Sequence, residues 1–194
     1  MNPDSPYHHG SLLLSIDTCG LSGSAALGRL AGRDLEVLAQ IELAGRTYSA
    51  TLVAAVRDVL ASAGAQLKDL GGIVAVNGPG SFTGVRVGLS AVKGLAEGAQ
   101  IPVVAVSRLL VLSRKAGAPS SALDAHRGEL YLRLEAAGHD PIEMLAGPQE
   151  LAAVHPVPLR VAVCDHPAAE LLTAAWPATQ LVPVPAPLAA DALR

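Results

Sequence analysis

The sequence predicts an α/β fold in two parts. Short apolar runs rich in β-branched residues recur along the chain and are typical of buried strands, and between them lie longer stretches with apolar residues at helical spacing. Beyond about residue 119 the pattern becomes less regular, and prolines at 177, 183, 185 and 187 interrupt it. We therefore predict a disordered tail at residues 1–10, an N-terminal subdomain at 11–118 and a smaller C-terminal subdomain at 119–194.

Three predicted strands precede the first helix: Leu12–Ile16, Leu21–Leu30 and Asp34–Glu42. The first ends at Asp17-Thr18, and Ala31–Arg33 forms a hairpin turn between the other two. Thr47 or Ser49 caps the helix that follows, and Gly64 ends it. One face of this helix carries an apolar stripe, which is typical of a helix that packs on a sheet: Leu52, Val56, Val59, Leu60 and Ala63.

A glycine-rich segment, residues 77–88, connects the next predicted strand, Gly72–Val76, to a helix that runs to Ala99. Ser81 or Thr83 can cap that helix. The segment lacks the Lys-Ser/Thr pair of a Walker phosphate loop, the G-x-G-x-x-G spacing of a dinucleotide loop and the flanking glycines of a nucleophile elbow. Its glycines serve either a tight turn with positive φ or the close approach of another backbone or a ligand. The sequence leaves both interpretations open.

Four small or apolar residues of this helix fall at i, i+4, i+7 and i+11 and so share one face: Gly84, Gly88, Ala91 and Leu95. Each interior glycine costs a helix roughly 1 kcal/mol against alanine. Such a cost indicates that something packs within backbone distance of this face. The neighbour is either a helix of the same domain or, by our hypothesis, a helix of a partner chain that also meets Leu52 and Val56.

A further strand, Pro102–Val106, and a helix that Ser107 caps and that ends near Gly117 complete the order β-β-β-α-β-α-β-α. This order is characteristic of the ribonuclease-H-like half-domain that actin, sugar kinases and chaperone ATPases share. We therefore expect an actin-like fold whose mixed sheets are flanked by helices. In such ATPases the end of the first strand holds metal-nucleotide phosphates. Asp17 and Thr18 are therefore either a vestigial phosphate loop or a strand end whose carboxylate satisfies turn amides.

Charge and composition limit the function classes. With 14 Lys and Arg and a net charge of −3, the chain is not expected to hold nucleic acid tightly unaided. No apolar run reaches the roughly 18 to 20 residues that span a bilayer, and no signal peptide is evident, so we expect a cytoplasmic protein. Cys19 and Cys164 provide neither a disulfide framework nor a metal site. Asp124, His126 and Glu129 lie close in sequence, but their spacing is too common to predict a metal or acid–base site.

Several stretches, in the right order over about residues 11 to 135, resemble the TsaB (YeaZ) family. The most specific is the string Gly78-Pro79-Gly80-Ser81-Phe82-Thr83-Gly84, followed by Arg86 and Gly88. The others are Leu14–Thr18, Ser24–Leu27, Lys93–Ala96, Pro102–Ser107 and Asp124–Tyr131. The C-terminal part resembles the family only in its loose β/α pattern.

The resemblance implies a partner subunit rather than an independent enzyme. TsaB proteins bind TsaD, the paralogous metal-carrying subunit that transfers threonylcarbamoyl to an adenosine beside the tRNA anticodon. TsaC supplies threonylcarbamoyl-adenylate, and the ATPase TsaE joins the assembly. In such complexes the first helices of TsaB and TsaD pack on each other, and TsaB can also form homodimers. We therefore expect no catalytic residue, metal or cofactor in this chain alone, with a nucleotide at the joint interface as an open alternative.

The chain departs from the family pattern in four places. Tyr48-Ser49-Ala50 replaces a His-Ser pair with an acidic residue, Ala54 replaces a common proline, and Asn77 stands where glycine or arginine is frequent. The chain also ends at Arg194, short of the tail of many members, so we expect a truncated C-terminal subdomain. Two enzyme classes are the alternative functions: an actin-like ATPase or small-molecule kinase that uses Asp17 and the glycine segment, and a glycoprotease-type peptidase.

Overall fold

The computed structural model divides the chain into two units. The described residues are 11–32, 34–44, 48–136 and 138–194. The first unit comprises the described residues up to Ser107 together with Leu188–Arg194, and the second comprises Arg108–Pro187. The predicted tail at residues 1–10 and the proposed cap Thr47 lie outside the described residues.

The first unit is a five-stranded mixed sheet with two long helices. Its elements are β1 (Leu12–Asp17), β2 (Gly23–Ala31), β3 (Asp34–Leu43), α1 (Tyr48–Ser62), β4 (Leu70–Val76), α2 (Phe82–Ala99) and β5 (Val103–Val106). The strand order is β3-β2-β1-β4-β5. β1 pairs antiparallel with β2 and parallel with β4, so it is the central strand.

The two faces of this sheet are covered differently. α1 and α2 cover one face, over a core that includes Leu14, Ile16 and Ile73. Leu188–Arg194 returns to the opposite face, where Leu193 packs with Leu13. Because successive side chains of a strand point to opposite faces, a strand that is covered on both sides is buried at successive positions, as β1 is from Leu13 to Asp17.

The ends of α1 follow from local backbone chemistry. Gly64 adopts φ +64°, and the N–H of Ala65 donates to the carbonyl oxygen of Leu60 at 2.9 Å, which closes the helix in the way that glycine favours. The prediction that Gly64 ends this helix is confirmed. Ser49 lies within the helix, which begins at Tyr48, so it is not the N-cap.

The second unit repeats the connection pattern of the first. Its elements are α3 (Arg108–Ala116), β6 (Ser120–His126), β7 (Glu129–Leu134), β8 (Ile142–Ala146), α4 (Pro148–Ala153), β9 (Arg160–Val163), α5 (His166–Ala175) and β10 (Gln180–Pro183). The strand order is β10-β9-β6-β7-β8, in which the first strand of the unit is again central. Leu151 of α4 and Leu172 of α5 lie in the core on one face, and Leu112 of α3 lies in a separate core on the other.

The predicted fold class, an actin-like α/β fold with mixed sheets flanked by helices, is confirmed. The division of the chain differs from the predicted boundary between residues 118 and 119. α3 belongs with the second unit because Leu109 and Leu112 are buried against β6 and β9, and the final residues belong with the first. β8 was not predicted. Among the described helices, none has the length and apolar composition needed to cross a membrane.

Candidate functional site

The segment Gly78–Gly88, which we call the glycine motif, comprises the turn after β4 and the first half of α2. Gly78 has φ +106° and Gly80 has φ +155°, conformations that side chains with a Cβ rarely adopt. Ser81, one of the two proposed caps, is the N-cap of α2, because its Oγ accepts a hydrogen bond from the N–H of Gly84 at 3.2 Å. At the start of the motif, glycine is therefore needed for the positive φ angles of the tight turn.

Further along the motif, glycine serves a close approach to the turn after β1. A Cβ at Gly84 would overlap the carbonyl oxygen of Thr18, and a Cβ at Gly88 would overlap the Oγ1 of Thr18. At Gly80 the overlap would be with the carbonyl oxygen of Cys19, which also accepts the N–H of Ser81 at 2.8 Å. The hypothesis that Gly84 and Gly88 meet a partner helix is therefore wrong, since the unit's own chain occupies that space.

Asp17 and Thr18 are engaged within the first unit. Their side chains are buried, at 2% and 1% exposure. Oδ1 of Asp17 accepts the N–H of Cys19 at 2.7 Å, and the hydroxyl of Thr18 donates to the carbonyl oxygen of Gly84 at 2.7 Å. The carboxylate thus satisfies a turn amide, as one of the two interpretations of this strand end predicts, and the vestigial phosphate loop stays a prediction.

Tyr48, which departs from the family pattern, holds the loop between β1 and β2. Its hydroxyl donates to the carbonyl oxygen of Gly20 at 3.0 Å, and a Cβ at Gly23 would lie 2.8 Å from its ring. The side chain is 6% exposed. Leu21, at the tip of the loop, is 99% exposed. An aromatic residue thus takes a packing role at the start of α1.

Two adjacent surface cavities of about 340 and 330 Å³ lie between α1 and α2, and together we call them the α1–α2 groove. The first is lined by Tyr48, Ser49, Leu52, Val53, Arg86, Val87, Ser90 and Ala91. The second is lined by Val53, Val56, Arg57, Leu60, Ala61, Ala65, Gln66, Leu67 and Leu95. The walls are largely apolar, and Val53 belongs to both cavities.

The remaining residues of the predicted partner face divide between core and groove. Leu52 and Val56 are 1% and 3% exposed and pack in the core of the first unit, so they form the floor of the groove and not a free surface. Ala91 and Leu95 are partly buried and line the groove. Of the six residues of the predicted partner face, four are therefore turned inward, and Ala91 and Leu95 line the groove.

The exposed apolar residues of this region were missed as candidates. Val53 is 61% exposed, Phe82 is 68% exposed and Leu89 is 37% exposed. The guanidinium carbon of Arg86 lies 3.7 Å from the centroid of the Phe82 ring. One sequence signal could have identified Val53: it adjoins the buried stripe of α1, so the apolar face is wider than the contact with the sheet requires.

The second unit contains the acidic and histidine cluster that the sequence singled out. Nδ1 of His126 lies 2.9 Å from Oδ2 of Asp124, and the N–H of His126 donates to Oδ1 of Asp124 at 2.8 Å. His126 pairs with Glu129 across the turn between β6 and β7. Among the described residues no group of three His, Cys, Asp or Glu side chains is arranged to hold a metal ion. The cluster organises a hairpin turn.

Comparison with known proteins places these features in a family. A family model described as "TsaD: tRNA N6-adenosine threonylcarbamoyltransferase" matches residues 36–146, more than half of the chain. The "tRNA threonylcarbamoyladenosine biosynthesis protein TsaB" of Escherichia coli K12 is 38% identical over 125 residues, which cover 61% of this chain and 52% of the relative. The chain belongs to the TsaB (YeaZ) family.

Further members agree with this assignment. The TsaB protein of Bacillus subtilis 168 is 35% identical over 126 residues, which cover 63% of this chain and 54% of the relative. A crystal structure of a Pseudomonas aeruginosa protein with similarity to the peptidase YEAZ matches with a TM-score of 0.75 and 29% identity, over 94% of this chain and 88% of that one. The matches to the two TsaB relatives span about half of each relative's length.

Proposed function

We propose that this chain is a non-catalytic subunit that binds a tRNA N6-adenosine threonylcarbamoyltransferase, TsaD, and is required for its activity. The modified residue is the adenosine beside the anticodon of tRNA, so the proposed location is the cytoplasm. TsaE and TsaC complete the proposed pathway, and a nucleotide can lie at the joint interface with TsaD. Support comes from the names of the relatives, which belong to threonylcarbamoyladenosine biosynthesis, and from the family model, which describes the transferase itself.

The observation that carries the proposal is the α1–α2 groove. Val53, Phe82 and Leu89 project from neighbouring helices into solvent beside a largely apolar groove. Exposed apolar side chains next to an apolar groove favour a site of protein–protein contact. Two helices side by side accept a third helix in the groove between them. A subunit interface on this face is therefore the function that the exposed chemistry favours.

The glycine motif supports a structural rather than a catalytic role. Gly80, Gly84 and Gly88 bring α2 against Thr18 and Cys19, so the strand end is filled by the unit's own backbone. The proposal therefore gives the motif the task of fixing α2, and with it one wall of the α1–α2 groove. A rigid helix pair lowers the conformational entropy that this chain must lose when it binds a partner.

The proposal also predicts weak tRNA binding by the lone subunit. Because only 14 Lys and Arg are spread along a chain of net charge −3, few phosphates can be neutralised together. Tight, submicromolar binding of tRNA to the isolated chain at physiological salt would contradict this part of the proposal.

The test is reconstitution with the transferase of the same organism. We expect the two purified proteins to form a complex in size-exclusion chromatography with light scattering, and tRNA modification to require both. Val53→Asp places a charge on the groove and should abolish the complex without unfolding the chain. Leu159→Asp is the matched control, since Leu159 is 84% exposed but lies in the second unit.

Three outcomes would overturn the proposal, and a fourth would overturn its choice of partner. One is modification at the full rate without this chain. Another is a complex that Val53→Asp leaves intact. The third is ATP hydrolysis or peptidase activity by the isolated chain that disappears in Asp17→Ala, which would favour an enzyme of the actin-like class. A chain that forms only homodimers through this face, with no effect on modification, would contradict the choice of partner.

A further inference from the structure

We infer that Arg86 selects the partner, by pairing with a carboxylate on a helix of the transferase that lies in the α1–α2 groove. This inference rests on the proposed function and specifies the chemistry of the partner helix. That helix carries apolar side chains that contact the walls of the groove, and an Asp or Glu that pairs with Arg86. Arg86 lines the first cavity, beside Val53 and Ala91.

The distribution of charge on α1 and α2 distinguishes Arg86 from its neighbours. These helices carry three cations, Arg57, Arg86 and Lys93, and two acids, Asp58 and Glu97. Arg57 lies 2.9 Å from Asp58, and Lys93 lies 3.8 Å from Glu97. Both acids therefore already face a cation of their own helix. Among the described residues, no carboxylate forms an ion pair with Arg86.

The Phe82 ring positions the guanidinium of Arg86. At 3.7 Å from the ring centroid the guanidinium stacks on the aromatic face, which restricts the side chain without using its hydrogen-bond donors. The donors at the edge of the planar guanidinium match the two oxygens of a carboxylate. The stack thus leaves a pre-oriented cation whose natural counterpart is an acidic side chain.

The same residues argue against a second copy of this chain as the preferred occupant. A two-fold homodimer brings the same surface together from both subunits. The described residues that line the α1–α2 groove include no Asp or Glu. In such a contact Arg86 would meet apolar, neutral polar and basic groups and would lose water without gaining a counter-charge, which is unfavourable. A different chain can supply the missing acid.

The experiment measures the dissociation constant for the transferase of the same organism, with the full chain, over a series of salt concentrations. We expect Arg86→Gln to weaken binding by roughly 30-fold or more, because it removes one member of a buried charge pair. It should also flatten the dependence of the dissociation constant on salt. Phe82→Ala should weaken binding by about two- to five-fold, and Arg86→Lys, which keeps the charge without the planar donors, should fall between wild type and Arg86→Gln.

Arg57→Gln is the matched control. Arg57 also lines the groove but already faces Asp58, so its loss should change affinity less than about five-fold. The melting temperature should stay unchanged in Arg86→Gln because the side chain is exposed.

If the wild-type chain binds the transferase and Arg86→Gln binds equally well with the same salt dependence, this inference is wrong and the proposed function stands. If the wild-type chain does not bind, both fail. If Arg86→Gln weakens a homodimer but not the complex with the transferase, the assignment of the carboxylate is wrong.

Discussion

The two units share a strand order, but they connect the end of their first strand to a helix in different ways: by a close backbone contact in the first unit and by a side chain in the second. In the first unit, Gly84 and Gly88 let the backbone of α2 approach Thr18 at the end of β1. In the second, the side chain of Asp165 makes the equivalent connection. Its Oδ2 accepts the N–H of Asp124 in β6 at 3.1 Å, and its Oδ1 accepts the N–H of Ala168 in α5 at 2.8 Å. Backbone contact needs glycine, whereas a side-chain bridge tolerates ordinary residues and leaves more space.

The helical layers differ as well. α1 and α2 have 15 and 18 residues, while α4 and α5 have 6 and 10. Between the short helices lies Trp176, which is 4% exposed and donates its Nε1–H to the carbonyl oxygen of Leu151 at 3.0 Å. Tyr48 lines the described α1–α2 groove, but it packs on the loop between β1 and β2 and leaves the space between the long helices open. The comparison shows why the candidate interface lies in the first unit: its helices are long enough to present a surface and are left open.

The largest loss of stability is expected at Trp176, which fills the space between α4 and α5 in the second unit. Trp176→Ala removes the residue that fills this space and should cost about 3–5 kcal/mol of unfolding free energy. Denaturant unfolding followed by circular dichroism measures the loss. Leu159→Ala, in the same unit but 84% exposed, should change stability by less than about 0.5 kcal/mol. Equal effects from the two substitutions would show that Trp176 does not close the layer.

A smaller but still large effect is expected at the backbone contact of the first unit. Gly84→Ala places a Cβ against the carbonyl oxygen of Thr18, and because a backbone atom cannot rotate away, it should cost about 2–3 kcal/mol. Gly94→Ala is the control within the same helix, since a Cβ there meets nothing within 4 Å. It should stabilise the protein by up to about 1 kcal/mol through helix propensity. Thermal melts of the two variants that shift in the same direction would contradict the packing account.

These two glycines also show how far the sequence predicts the structure. Spacing identified Gly84 as a position where something packs closely, but it could not identify Thr18, because the contact spans 66 residues of chain. Long apolar strands and their order were predictable, since each β-branched run is a local signal. β8 was missed because Ile142 and Leu145 are 60% and 50% exposed, so the strand has no continuous buried run.

The candidate site was predictable in part for the same reason. The apolar stripe of α1 identifies the residues that face the sheet, and Leu52 and Val56 do so. Residues that face a partner carry no internal contact that would impose a pattern on the sequence. Phe82 became visible as an exposed candidate once its exposure was known, whereas Val53, which adjoins the buried stripe of α1, could have been identified from the sequence. The charge argument for Arg86 likewise needs the ion pairs of its neighbours, which spacing alone does not give.

A moderate effect is expected at the side-chain bridge of the second unit. Asp165→Ala removes the N-cap of α5 and the acceptor for Asp124, and should cost about 1–2 kcal/mol. Asp165→Asn keeps one side-chain oxygen for the cap but turns its NH2 group, a donor, towards the N–H of Asp124, so it should recover only part of the stability that Asp165→Ala loses. Urea unfolding of both variants checks this. A loss in Asp165→Asn as large as that in Asp165→Ala would show that the cap alone does not stabilise the second unit and that both acceptor oxygens are needed.

The smallest expected effect is on the ionisation and reactivity of the thiol of Cys164, the residue before Asp165. Burial raises the pKa of Cys164 from 9.0 to about 11, against the opposing influence of the positive charge of Arg108. At pH 8 we therefore expect roughly a thousandth of this thiol to be ionised and alkylation to be slow, with a rate that rises until the pH reaches about 11. The folded state holds this proton more tightly than the unfolded state does. The contribution of Cys164 to stability is therefore constant below about pH 9 and falls as the pH rises towards 11.

Site-resolved mass spectrometry after brief alkylation measures the rate at Cys164 separately from that at Cys19, which is 1% exposed and lies at the backbone contact of the first unit. Each cysteine thus reports the opening of its own unit. Gly84→Ala should accelerate the labelling of Cys19 and leave that of Cys164 unchanged. Asp165→Ala should do the reverse, partly because it removes a negative charge that raises the pKa of Cys164. A rate at Cys164 that levels off near pH 9 would show that its thiol is not buried as the structure has it. Acceleration at both cysteines by either substitution would show that the two contacts open together, because the units then unfold as one.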